Sequence, residues 1–110
     1  MATYMLQVSY TVEKWKDMVF KGGKKGSCTS KSTVEPVIKK LGGKVICGYV
    51  SFGSYDVVVI YEIPDSLGAT AVSAALASTG IFKTIETTAL MPPDEADQGL
   101  AKAKAAGYGG

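Results

Sequence analysis

The chain has 110 residues, 46% of them hydrophobic, and a formal net charge of +2, which suits one domain that buries a working core without disulfides or a metal. All of its basic side chains are lysine; arginine and histidine are absent. Bidentate arginine readout of phosphates or base edges, an imidazole base, a histidine triad and histidine metal ligands are therefore excluded, and no nucleic-acid partner is expected.

Residues 3–11, Thr-Tyr-Met-Leu-Gln-Val-Ser-Tyr-Thr, alternate as a first strand, with Tyr4, Leu6, Val8 and Tyr10 on one face and Met5, Gln7 and Ser9 on the other. Met1-Ala2-Thr3 runs straight into this strand, so no secretory leader is expected. Thr11 suits an N-cap for a helix from Val12 that carries Trp15, Met18 and Val19 on one side and stops at Gly22-Gly23. The plain role for Trp15 is to staple that helix to the sheet edge; stacking on a ligand is the alternative.

Lys21 to Lys31 reads as a glycine, lysine and serine loop, and a second helical stretch follows over about Ser32 to Leu41, mostly after Thr33 because Pro36 suits a first turn. Gly26 to Ser32 brushes against a phosphate-loop pattern, but it lacks the glycine before the lysine and follows no strand, so it is not read as a nucleotide site. Cys28 stands among lysines, which would lower a thiol pKa, yet no resolving cysteine or histidine accompanies it. From Glu13 to Lys44 there are nine lysines against three acids, a balance of +6, and the rest of the chain balances at −4. Such a basic half is either an anion-facing surface or, more plainly, a solvated loop and helix face.

Lys44 to Phe52 and Tyr55 to Ile63 form two further strands, joined at Gly53-Ser54 by a turn whose leading glycine suits type II′. Val57, Val58, Val59 and Ile60 place apolar side chains on both faces of the third strand, so both sides of the sheet need cover. Asp65 caps a helix through about Thr79, faced with Ala69, Ala71, Ala74, Ala75 and Ala77 beside Val72 and Leu76, and ended by Gly80. Ile81 to Leu90 is a fourth, threonine-rich strand; Pro92-Pro93 breaks it and Asp94-Glu95 opens a short helix. Residues 1–104 form the expected domain and 105–110 a flexible tail.

The order β-α-β-β-α-β is the ferredoxin-like plan: an α+β fold with a four-stranded antiparallel sheet, strands one and three central, and the helices on one face. The other face is bare in a monomer although strand three offers it two large apolar side chains, each worth about 1.5–3 kcal/mol when fully buried. A second copy packed sheet to sheet is the simplest cover, so a homodimer or larger assembly is expected.

Phe52-Gly53-Ser54-Tyr55-Asp56, the Val-Val-Val-Ile run, and Glu62 with Pro64-Asp65 resemble the signature of the GYD-domain family. So do Ala2-Thr3-Tyr4, Leu41-Gly42-Gly43-Lys44, Lys83-Thr84 with Thr87-Thr88, and the acidic helix after Pro93. The likeness spans residues 2–104 and implies the dimeric α/β-barrel group, in small bacterial proteins of largely uncharacterised activity. The chain departs from the family pattern between Lys21 and Ser32, which is longer, richer in glycine and lysine, and free of arginine.

Asp56 and Glu86 are the candidate catalytic carboxylates, with Tyr55 as a candidate donor, should the strand register bring them into a sheet-lined cavity beside Gln7, Ser9, Tyr49 and Ser51. Against that, Asp56 bonds backbone N–H groups at the hairpin mouth, Glu86 faces solvent, and Tyr55 packs across strands. Cys47 reads as packing. No CxxC pair or carboxylate triplet proposes a metal site, and no cofactor is expected. No apolar run approaches the roughly 20 residues that span a bilayer, so no membrane partner is expected and the thiols are expected reduced in the cytoplasm. The function these residues suggest is a homo-oligomeric small-molecule-binding or accessory module. The alternatives are a cofactor-free enzyme for proton transfer or oxygen chemistry, and a structural assembly subunit.

Overall fold

The computed structural model of the chain describes residues 1–22 and 34–107. In order these form β1 (Ala2–Tyr10), α1 (Val12–Lys21), α2 (Val34–Lys40), β2 (Lys44–Val50), β3 (Val57–Ile63), α3 (Ser66–Ala77), β4 (Phe82–Leu90) and α4 (Pro93–Ala105). The lysine-glycine loop after Gly22, the phosphate-loop-like stretch and Cys28 lie outside the described residues. The four strands make one antiparallel sheet in the order β2-β3-β1-β4, so the ferredoxin-like arrangement with β1 and β3 at the centre is present. No helix among the described residues is long and apolar enough to cross a membrane.

α1 and α3 start where a side-chain oxygen takes an otherwise unpaired backbone N–H. Thr11 accepts from the Lys14 N–H at 3.2 Å, and Asp65 from the Gly68 N–H at 2.9 Å. Such a cap is worth about 1 kcal/mol. Gly22 ends α1 in the left-handed conformation at φ 61°, with its N–H on the Met18 and Val19 carbonyls, as a C-terminal glycine does. Pro36 sits in the first turn of α2, where its missing N–H costs least.

Leu6, Val8 and Tyr10 from β1 and Val57, Val59, Tyr61 and Ile63 from β3 are buried under α2 and α3. Val34, Ile38, Val72, Leu76 and Ala69 meet them from the helices, and Met18 joins from α1. On β3 the alternation is strict, and the even-numbered Val58, Ile60 and Glu62 remain half-buried on the helix-free face. The close approach of the α2–β2 turn to β3 depends on Gly43, where a Cβ would overlap the Glu62 carbonyl and crowd Ile38.

The structure corrects four expectations. β3 begins at Val57, so Tyr55 and Asp56 belong to the connection and not to the strand. The β2–β3 connection is not a two-residue turn: it runs over residues 51–56, with the Ser51 N–H on the Asp56 carbonyl (2.8 Å) and the Gly53 N–H on the Tyr55 carbonyl (3.1 Å). The residue with positive φ there is Phe52, at 46°, and not Gly53. Val19 faces outward: Met18 is the buried residue of α1, and Trp15 packs half-buried against the core beside it. On α3, Ala74 and Ala77 are exposed, so the packed stripe is the narrower one of Ala69, Val72 and Leu76.

The Tyr61 hydroxyl is enclosed without a hydrogen-bond partner, its ring stacked on Tyr4 at 5.8 Å. Burial, with a smaller contribution from Tyr4, pushes its pKa from near 10 up to about 12. A proton held more tightly in the folded state gives stability that is complete below the unfolded value and lost as pH rises from about 10 to about 12. Removing an unsatisfied buried hydroxyl relieves a desolvation cost of about 1–3 kcal/mol. Tyr61→Phe is therefore expected to raise the urea midpoint at neutral pH and to blunt the alkaline loss, as followed by circular dichroism against pH. Gly43→Ala is expected to cost about 1–3 kcal/mol through overpacking, measured in the same urea titration.

Candidate functional site

On the helix-free face, strand register sets the side chains in rows. Tyr49, Val58, Gln7 and Glu86 stand opposite one another across β2, β3, β1 and β4. The next row is Cys47, Ile60, Met5 and Thr88, and the next Lys44, Glu62, Thr3 and Leu90, with Lys44 Nζ 3.8 Å from Glu62 Oε1. A bulge between Val45 and Cys47 keeps β2 in step with β3. The middle of the face is thus apolar, formed by half-buried Met5, Val58 and Ile60. Gln7 and Tyr49 border it with an amide and a phenol that make no hydrogen bond among the described residues, and Tyr49 is 71% exposed.

One end of the face is closed by the 51–56 connection. Ser9 Oγ donates to the Ser54 carbonyl at 3.1 Å, and Ser51 Oγ donates to the Tyr55 carbonyl. Asp56 Oδ2 accepts the Tyr10 N–H at 2.9 Å, just past the last β1–β3 pair, Val8–Val57, while the Asp56 N–H donates to the Val8 carbonyl at 2.8 Å. The carboxylate stands in for a strand carbonyl that the shorter β3 does not provide. From the same connection Tyr55 reaches across β1, and its hydroxyl donates to Glu86 Oε2 at 2.7 Å. That hydrogen bond, then desolvation and the Glu86 charge, raise the Tyr55 pKa, so the phenol stays protonated and acts as a donor.

The structure therefore divides the expected site residues into two groups. Gln7, Tyr49 and Glu86 share one row across the sheet. Ser9, Ser51, Tyr55 and Asp56 lie together at the closed end, where their oxygens are engaged with each other, with backbone, or with Glu86. Glu86 is exposed but is not free of the chain, because Tyr55 holds it. Sequence pattern does not single out Thr88 and Cys47 for this face; their parity opposite Met5 and Ile60 becomes readable only once the pairings are known. No group of three or more cysteine, aspartate or glutamate side chains able to hold a metal ion occurs among the described residues.

Trp15 packs edge-on against Tyr10 (5.8 Å, 89°) and stacks on Phe52 (6.1 Å, 28°), joining α1 to the closed end. That contact accompanies the positive φ of Phe52, a backbone conformation that costs a non-glycine residue about 1–2 kcal/mol. Beside it Val12, Trp15, Lys16, Val19 and Phe20 line an open depression of about 450 Å³. A second depression, of about 300 Å³, lies between α3 and β4 over Tyr4, with the Ser73 and Thr87 hydroxyls hydrogen-bonded at 2.8 Å on its wall. Trp15, for which ligand stacking is the alternative role, lines the first; neither depression includes Gln7, Ser9, Tyr49, Ser51, Tyr55 or Asp56.

Asp56→Ala removes a charged acceptor from a part-buried backbone N–H and is expected to cost about 1.5–3 kcal/mol in urea unfolding. Asp56→Asn retains an oxygen at that place and is expected to fall nearer the parent chain.

The model of the GYD domain family matches residues 4–100. No curated protein matches the chain. Among solved structures the chain is similar to FFRP-DM1, at 15% identity and a TM-score of 0.53, covering 83% of this chain and 100% of that one. It is similar to TTHA0845 from Thermus thermophilus, at 16% identity and a TM-score of 0.53, covering 84% and 95%. An AsnC family transcriptional regulator from Agrobacterium tumefaciens aligns at 13% identity and a TM-score of 0.51, over 83% of this chain but 50% of the regulator. At these identities the likeness is one of fold.

Proposed function

The chain belongs to the GYD domain family, and from that premise we propose that it is a homo-oligomeric module in which two copies meet by their helix-free sheet faces and hold a small molecule between them. The observation that carries this reading is the row structure of that face: an apolar centre of Met5, Val58 and Ile60, bordered by the unengaged Gln7 amide and Tyr49 phenol. Sheets packed face to face stand about 10 Å apart, room for side chains and for a small guest where those side chains are short. Each half-exposed apolar side chain withdrawn from water contributes about 1 kcal/mol, and a two-fold counts every one twice. The guest such a lining suits is mostly apolar, with one or two oxygens for Gln7 and Tyr49 to bind. An accessory role is in keeping with the recurrence of the same fold as about half of a regulator chain.

One observation favours a second reading, a cofactor-free enzyme. The Tyr55–Glu86 pair sets a protonated phenol against a carboxylate beside the same row, so Glu86 could accept and Tyr55 donate a proton. In a third reading, a structural assembly subunit, side chains of the two sheets fill the space between them.

Light scattering at micromolar concentration is expected to give twice the chain mass or more, and Val58→Lys is expected to return a monomer while leaving the fold intact. A monomeric parent chain would remove the reading. Native mass spectrometry of the dimer is expected to show a retained small molecule that Gln7→Ala releases. Turnover of a screened substrate abolished by Glu86→Gln, with binding kept, would instead select the enzyme.

A further inference from the structure

Among the described residues, two surfaces still lack a partner when the sheet faces are covered. The first lies at the Tyr10 end of the sheet, where Val12, Val19, Phe20 and Phe52 are 64%, 74%, 90% and 71% exposed around Trp15. Exposed apolar residues scattered singly need no explanation, but a contiguous aromatic and aliphatic group beside a depression marks an interaction surface. Lys16 stands on its rim with no carboxylate within 4.0 Å among the described residues, whereas Asp17 holds Lys21 at 3.0 Å and lies 4.0 Å from Lys14.

The second surface is α4. It has 13 residues and none is buried. A helix of that length without a packed face is marginal in water, so its stability calls for a neighbour. Ala96, Leu100 and Ala103 fall on one side at helical spacing, and Leu100 is 68% exposed. Asp94, Glu95 and Asp97 at its start make no ion pair among the described residues. By sequence, Glu13 to Lys44 carries the opposite balance, +6.

The two surfaces belong to opposite ends of the sheet. α1 follows Tyr10 at the end of β1, while α4 follows Leu90, which pairs with Thr3 near the start of β1. The nine residues of β1 separate them by about 30 Å, and the chain extends 58 Å along its long axis against 22 Å along its short one. A second copy stacked on the helix-free face about a two-fold, its strands running the opposite way, carries its α4 to this copy's α1 and receives this copy's α4 in return.

We propose that α4 is an intersubunit arm: the α4 of a second copy lies in the Val12–Trp15–Val19–Phe20 groove with Leu100 inserted and its acidic first turn toward Lys16. The inference rests on the sheet-to-sheet dimer proposed above and assigns the elements that lock it. Apolar insertion supplies affinity, and the opposed charges set the direction in which the arm lies.

The test uses full-length chains. Phe20→Asp and Leu100→Asp change exposed side chains outside the core, so circular dichroism is expected to keep the sheet signal of the parent and to lose no more than the helicity of α4. Each is expected to raise the dimer dissociation constant at least tenfold by sedimentation, and the double variant to add little to either single one, as contacting residues do. In a Cys28→Ser, Cys47→Ser background, a Val19→Cys chain mixed with a Leu100→Cys chain is expected to give a mixed disulfide dimer on oxidation. Unchanged dissociation constants, or no mixed disulfide, would overturn the arm. So would binding to phosphatidylserine vesicles that Phe20→Asp abolishes without touching self-association, since the groove would then serve a membrane surface. A dimer that Val58→Lys dissociates and Leu100→Asp does not would keep the facing sheets and remove the arm; the opposite pattern would keep the arm and remove the facing sheets.

Discussion

A strand that is apolar on both sides cannot satisfy itself with one layer of helices. β3 sends Val57, Val59, Tyr61 and Ile63 into the core under α2 and α3, and the same seven residues send Val58 and Ile60 the other way. Because side chains alternate strictly along a strand, no local adjustment can turn those two inward without turning the core residues outward. The central place of β3, between β2 and β1, follows from the same property, since an edge would leave still more of it in water.

The helix-free face is polar at one end for a reason that is structural before it is chemical. β3 is shorter than β1, so the Tyr10 N–H projects past the last strand pair, and the Asp56 carboxylate takes it. Drawing Asp56 there pulls the 51–56 connection over Ser9 and brings Tyr55 to Glu86. One backbone donor thus organises a small network of serine, tyrosine and carboxylate oxygens. Gln7 and Tyr49 are side chains of this face that the network does not reach.

α1 and α4 share a feature that separates them from α2 and α3: they contribute little or nothing to the core. α1 buries Met18, and α4 buries none of its residues. Helices kept outside the core of so small a domain need another source of order, and the surfaces they present are of complementary charge and apolar character. The domain therefore reads as a well-packed sheet-and-helix body whose two ends carry exposed apolar side chains.

Much of the local structure could be read directly. Thr11, Gly22, Pro36 and Asp65 mark helix boundaries through capping and proline chemistry that acts within a few residues, and the structure follows them. The doubly apolar run of β3 and the strand order follow from alternation and crossover rules that likewise need no distant information. What one-dimensional reading missed depends on partners far along the chain. The 51–56 connection departs from a two-residue turn because Asp56 answers Tyr10, 46 positions away, and Val19 turns outward because Trp15 and Met18 are the α1 side chains that meet the core. The pairing of Tyr55 with Glu86, and the rows that set Gln7 beside Glu86 and Tyr49 beside Val58, exist only once register is chosen. Local propensity determined the elements; only the tertiary structure decided which side chains meet, because contact across a sheet depends on pairing between segments that no local pattern encodes.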